Sequence, residues 1–177
     1  MLFTEARQKI MDCLVQAGCR EKIETSKKRL KLNKSYRVGA VLFEKEQLEK
    51  DKWKRIFYSD DGKKKRRKLY KRELTFNVII ADADIDAVES IYEKFLEQLP
   101  DGIYVDGNWT ELIPEEADWL DDEDTILSAK CAVQFLVRCT GGIYKDTDFR
   151  RIENVQVEVE KEEQHGEADN DSADGNV

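Results

Sequence analysis

The sequence predicts an α+β fold: an antiparallel (mixed) β-sheet with two main helices packed on one face. Three observations predict it. Apolar residues recur at helical spacing in two well-separated stretches, 3–17 and 82–102. Short runs of period-two alternation, punctuated by Asp-Gly pairs, lie between and after them. Helices and hairpins are therefore segregated rather than alternating as βαβ units.

The elements follow in order. In 3–17, Phe3, Ala6, Ile10, Cys13, Leu14 and Ala17 form one stripe, and Gly18 stops the helix. The polar, basic segment 20–35 reads as a mobile connection. YRVGAVLF (36–43) reads as a short strand whose glycine marks a bend or bulge. Residues 43–55 hold few apolar side chains and read as a loop with a short turn. Residues 55–82 form the plainest hairpin, with its turn at Asp61-Gly62. In its second arm Leu74, Phe76, Val78 and Ile80 share one face and Thr75 and Asn77 the other, the pattern of a half-buried strand.

The best helix lies in 82–102, with Ile85, Val88, Ile91, Tyr92, Phe95, Leu96 and Leu99 on one stripe. Asp82 or Asp84 caps its start, and Pro100 and Gly102 end it. Residues 103–115 give a strand, a turn at Asp106-Gly107 and a second extended piece. The acidic stretch EEADWLDDED reads as a short helical turn around Trp119 and Leu120. In 131–140, Cys131, Val133, Phe135, Val137 and Cys139 fall on one side of a central strand, with Gln134, Arg138 and Thr140 opposite. Gly141-Gly142 then reads as a joint. Val155, Val157 and Val159 alternate in a final edge strand or arm.

The formal charge of −8 is unevenly placed. From Glu158 onward there are eight acids and one base, while the first 157 residues carry 30 acids and 29 bases. The expected organisation is thus a single domain, 1–157, and a disordered acidic tail, 158–177, serving solubility or contact with a partner. No apolar run approaches the roughly 18 residues of a membrane span. Charges interrupt the N-terminus where a signal peptide needs an apolar stretch, so no membrane partner is expected.

Chemistry is sparsely signalled. Cys131 and Cys139 sit too far apart on one strand to bond each other, roughly 26 Å at strand rise. No CxxC pair exists, and His165, the single histidine, lies in the tail. Four reduced thiols with no metal and no cofactor are expected. No phosphate-cradling glycine loop or G-x-S-x-G is present, so catalytic residues are expected to be none.

Two charged runs are the candidate contact sites. KKKRRKLYKR (63–72) places Lys63, Lys64, Lys65, Arg66, Arg67 and Lys68 from a hairpin tip into a strand. These bases could neutralise phosphates, meet a protein, or guard a solvated edge against aggregation. The acidic segment 115–124, with Asp118, Asp121, Asp122 and Asp124, lacks the spacing of a calcium loop and complements the basic run on a neighbouring copy.

From Arg55 to Asp146 a charged hairpin leads into RELTFNVIIAD, then an amphipathic helix ending in LPDGIYVDGNW, then ADWLDDED and a strand closing with GGIYKD. In this order and texture, over roughly half the chain, the sequence resembles the tail terminator, or tail-to-head joining, proteins of long-tailed bacteriophages and prophages. The resemblance implies a non-enzymatic virion assembly protein that forms a homo-oligomeric ring, commonly a hexamer. Such a ring stops growth of the tail tube protein and meets the head-completion or neck protein, with DNA passing through its lumen. It implies a place in the tail or neck of the virion after assembly in the host cytoplasm. The long basic segments and the acidic tail depart from the family pattern, which leaves two alternatives: another neck or tail completion protein, and a basic-hairpin nucleic-acid-binding module.

Overall fold

A computed structural model describes residues 1–19, 22–52, 56–58, 64–120 and 131–148. The elements are α1 (Leu2–Gln16), α2 (Lys27–Leu32), β1 (Val38–Lys50), β2 (Ile56–Tyr58), β3 (Lys64–Asp82), α3 (Ile85–Gln98), β4 (Gly102–Val105), β5 (Asn108–Leu120) and β6 (Cys131–Asp148). The strands form one sheet in the order β1-β3-β6-β5-β4, with β2 pairing to β3 beyond the end of β1. Every strand pairing is antiparallel. The α+β class is therefore as the sequence predicts.

Both long helices pack on the same face of the sheet. The α1 stripe of Leu2, Ala6, Ile10, Cys13 and Leu14 and the α3 stripe of Val88, Ile91 and Phe95 meet Leu74, Phe76, Val78 and Ile80 of β3. They also meet Cys131, Val133, Phe135, Val137 and Cys139 of β6, the five positions assigned to one side by alternation. Ring contacts tie the layers: Phe135 lies 5.1 Å from Tyr92 and 5.2 Å from Phe95. The four cysteines are reduced and buried, as small hydrophobes at the core boundary. Asp84 caps α3, its side chain accepting from the Asp86 amide at 3.4 Å.

Several expectations require correction. The strand expected to end at Phe43 continues to Lys50, because Lys45–Lys50 pair with Tyr70–Thr75 of β3. The chain passes straight through Gly39, and the irregularity of β1 falls instead between Phe43 and Lys45. The acidic residues up to Leu120 form no helical turn; they extend β5 along β6 as far as the Leu120–Ala132 pair. Residues 74–82 of β3 are buried on both faces, not one. The second face is covered by a smaller cluster in which Leu30 of α2 packs on Val38, Ala40, Leu42, Ile79, Ala81 and Ala132. Segment 20–35 is thus not simply a connection: it holds α2, and Glu24 forms a parallel bridge to Ala40.

The double glycine is not a joint either. Gly141 and Gly142 sit within β6, opposite Arg72 and Lys71. A Cβ on Gly141 would come within 3.0 Å of Leu2 and Thr110, and one on Gly142 within 2.9 Å of the Tyr144 ring and 2.7 Å of Lys68. These glycines fit close neighbours on both faces rather than a bend: a side chain there would require Leu2, Thr110, Lys68 or Tyr144 to shift.

The turn at Asp106-Gly107 has both residues in the left-handed region (φ 51 and 75) and joins β4 to β5 as a two-residue hairpin. The Asp61-Gly62 turn, the expected strand at 155–159 and the tail 158–177 fall outside the described residues.

Candidate functional site

β3 spans 19 residues, about 60 Å at strand rise. Only its second half crosses the helical layer. The first half, Lys64–Arg72, runs out between β6 on one side and β2 with the end of β1 on the other, making a three-stranded arm. None of Lys64–Arg72 is fully buried, and aromatic rings of β2 and β6 lie among the bases, so the pattern there lacks alternation.

The expected contact residues divide by what they touch. Arg66 is committed to the fold. Its Nε and second terminal nitrogen donate to the two carboxylate oxygens of Asp146 at 2.7 and 2.8 Å, and its remaining nitrogen donates to the Asp106 carbonyl at 2.9 Å. This bidentate grip fastens β3, β6 and the β4–β5 turn together. The Arg66 hydrogen bond holds the Asp146 carboxyl below its ordinary range and, reciprocally, raises the guanidinium. Lys64 lies exposed on the rung of Asp148. Lys65, Arg67 and Lys68 form no ion pair among the described residues, and the Lys68 ammonium lies 6.0 Å from the Tyr144 ring centre. Lys63 falls outside the described residues.

Farther along the arm the charges are paired across strands. Arg72 donates to Glu46 at 2.8 Å, and Arg138 bridges Glu115 at 2.7 Å and Glu73 at 3.6 Å. Glu115 is therefore occupied within the chain. Asp118 is exposed on the rung of Gln134, whereas Asp121, Asp122 and Asp124 fall outside the described residues. Trp119, next to Asp118, packs edge-on to Tyr92 at 5.8 Å.

The structure does not bring the two charged runs together. Asp118 sits opposite Gln134 and Arg66 opposite Asp146, twelve positions apart along β6. At strand rise that is about 40 Å. Basic arm and acidic β5 end occupy opposite ends of one sheet.

Two features were missed in the sequence. The first is a groove of about 580 Å³ between the arm and the β4–β5 turn, where Phe57, Tyr58, Trp109 and Tyr144 converge with Lys64 and Arg66. Phe57, Tyr58 and Trp109 are each about half exposed (52%, 59% and 50%). Three separate strands supply these rings, so no local motif announces them. The second is the surface of α2. Ser26 caps it, its hydroxyl oxygen accepting from the Arg29 amide at 3.2 Å. Leu30 turns inward and Lys27, Lys28, Arg29 and Lys31 turn outward. The Ser-Lys-Lys-Arg-Leu string, a cap followed by one apolar anchor, was the available signal.

Burial raises the Cys139 thiol to about 12 and pushes up Cys13, which disfavours the thiolate at both. No group of three or more His, Cys, Asp or Glu among the described residues is placed to hold a metal ion. No described helix is long and apolar enough to cross a membrane. No protein-family model matches the chain, and no curated protein matches its sequence.

Proposed function

We propose that this chain is a non-enzymatic structural subunit of a phage tail, a ring-forming tail terminator that caps the tail tube protein and meets the head-completion protein. One observation carries the reading: the basic arm and the acidic end of β5 lie about 40 Å apart on the same sheet, too far to satisfy each other within one chain. Surfaces that complement each other from opposite ends join copies head to tail, and such heterologous contacts close into a ring when the rotation permits. The half-exposed aromatic rings beside the arm are the side chains that anchor protein interfaces.

Sedimentation of the full chain across a concentration series, with negative-stain imaging, tests this. Discrete rings that bind the ends of tail tubes are expected. A protein that stays monomeric at the highest concentration and ignores tubes overturns it.

A further inference from the structure

The basic arm and the basic α2 segment differ in what their charges do. On the arm, Arg66 and Arg72 pair with carboxylates of neighbouring strands and Lys71 with Glu73 of its own strand, leaving Lys65, Arg67 and Lys68 unpaired among the described residues, Lys65 and Lys68 only half-exposed. On α2 and its flanks, seven bases lie between Lys22 and Arg37, with Glu24 the one acid among them. That acid is turned inward, 5% exposed, and receives the Asn33 amide at 3.4 Å. Lys27 pairs with Glu44 and Arg37 with Asp82. Lys28, Arg29, Lys31 and Lys34 are all exposed and form no ion pair among the described residues.

Local structure fixes these cations in place. The Ser26 cap starts the helix, Leu30 is pinned in the smaller core cluster, and Asn33 closes the exit by accepting from the Ser35 amide at 2.9 Å. Arg29 and Lys34 thereby stand on the rim of a cavity of about 640 Å³, with Lys22 and Arg37 also lining it. The surface is concave, and four bases line it against one acid, Glu24, which the Lys22 ammonium approaches at 3.9 Å.

We propose that the α2 surface binds the phosphate backbone of duplex nucleic acid without reading its sequence. Exposed Lys and Arg side chains carried by a helix and its flanks are groups that neutralise phosphates and release counterions. Single strands are a poorer fit, because they require a row of stacking rings and, among the described residues, Tyr36 is the exposed aromatic beside the patch. An anionic membrane is also a poorer fit. The helix has six residues and its buried apolar anchor, Leu30, faces the core rather than a bilayer.

Binding of the full chain to two DNA duplexes of unrelated sequence, measured by fluorescence anisotropy over a salt series, tests this. Both duplexes should bind equally, with a log–log salt slope of about −4 for four to five phosphate contacts. Replacing Lys28, Arg29, Lys31 and Lys34 together by Gln should weaken binding at least about tenfold at low salt and flatten the slope by about one unit per lost contact. The arm variant with Lys65, Arg67 and Lys68 changed to Gln should bind as the unmodified chain does, and circular dichroism of both variants checks the fold. Four results overturn the proposal: no duplex binding at low salt, binding lost with the arm variant and kept with the α2 variant, a preference for single strands, or binding to anionic phosphatidylglycerol vesicles but not to duplex. The proposal does not rest on ring formation. A monomer that binds duplex sinks the ring and keeps this site, and a ring indifferent to DNA does the reverse.

Discussion

Asn77 offers the sharpest test of the packing. It sits in mid-β3, between Leu42 of β1 and Leu136 of β6, on the face of the smaller core cluster. Its Oδ1 is buried with no hydrogen-bond partner among the described residues. A buried acceptor left unpaired costs about 1–3 kcal/mol. Asn77→Val removes that acceptor, keeps a residue suited to a strand, and adds apolar surface to a site already walled by leucines. Allowing for imperfect fit, the variant should be about 1–2 kcal/mol more stable. Urea unfolding at fixed protein concentration measures it. With m near 2 kcal/mol/M, the midpoint should rise by about 0.5–1 M and m should not change. Asn77→Asp places a carboxylate at the same point and should lose several kcal/mol, or roughly the whole margin of a small domain. If Asn77→Val instead destabilises by about 1 kcal/mol or more, Oδ1 is satisfied in solution and the reasoning fails.

Three further outcomes are expected. Phe135→Ala, which empties the junction of Tyr92 and Phe95, should lose about 3–5 kcal/mol in the same urea assay; a loss under about 1 kcal/mol would place that ring outside the core. The Asp146 carboxyl, held down by Arg66, should titrate below 3.8 by NMR and move up in Arg66→Gln. Because the folded pKa is depressed, the stabilisation from this pair is present above the unfolded value and lost as pH falls through the folded one, so it is intact at neutral pH. The Cys139 thiol, raised to about 12, should resist a thiol reagent at pH 8 until denaturant is added, and rapid labelling of the folded chain would contradict its burial.

What could be read from the sequence was whatever faced a core. The α1 and α3 stripes and the alternation from Cys131 to Cys139 each meet one continuous apolar layer, so their period survives in the residue order. Lys45–Lys50 and Glu115–Asp118 were misread because no side chain of those strand segments is fully buried, and too little period then distinguishes strand from loop or turn. They are strands because β3 and β6 beside them supply a ladder, which is a tertiary cause. The double burial of 74–82 is completed by Leu30, a single side chain more than forty positions upstream in a segment that is otherwise mostly charged. Of the expected contact residues, Arg66 proved to be a clamp because its two partners, Asp106 and Asp146, are remote in sequence. Lys65, Arg67, Lys68 and Asp118 kept the surface positions that their charge predicts.

The central ladder of β3 with β6 carries a kinetic consequence. Its rungs join residues as far apart as Lys64 and Asp148, and its nearest pair is Asp82 with Cys131. No rung can form until α3, β4 and β5 have been looped out and returned, so closure entropy opposes the very pairing that the rest of the sheet needs. A topology this non-local folds on the scale of roughly milliseconds to seconds, during which the long edges of β3 stay open. The density of Lys and Arg along Lys64–Arg72 therefore has a use before any partner is met: like charges on the waiting strand keep nascent copies from pairing with one another.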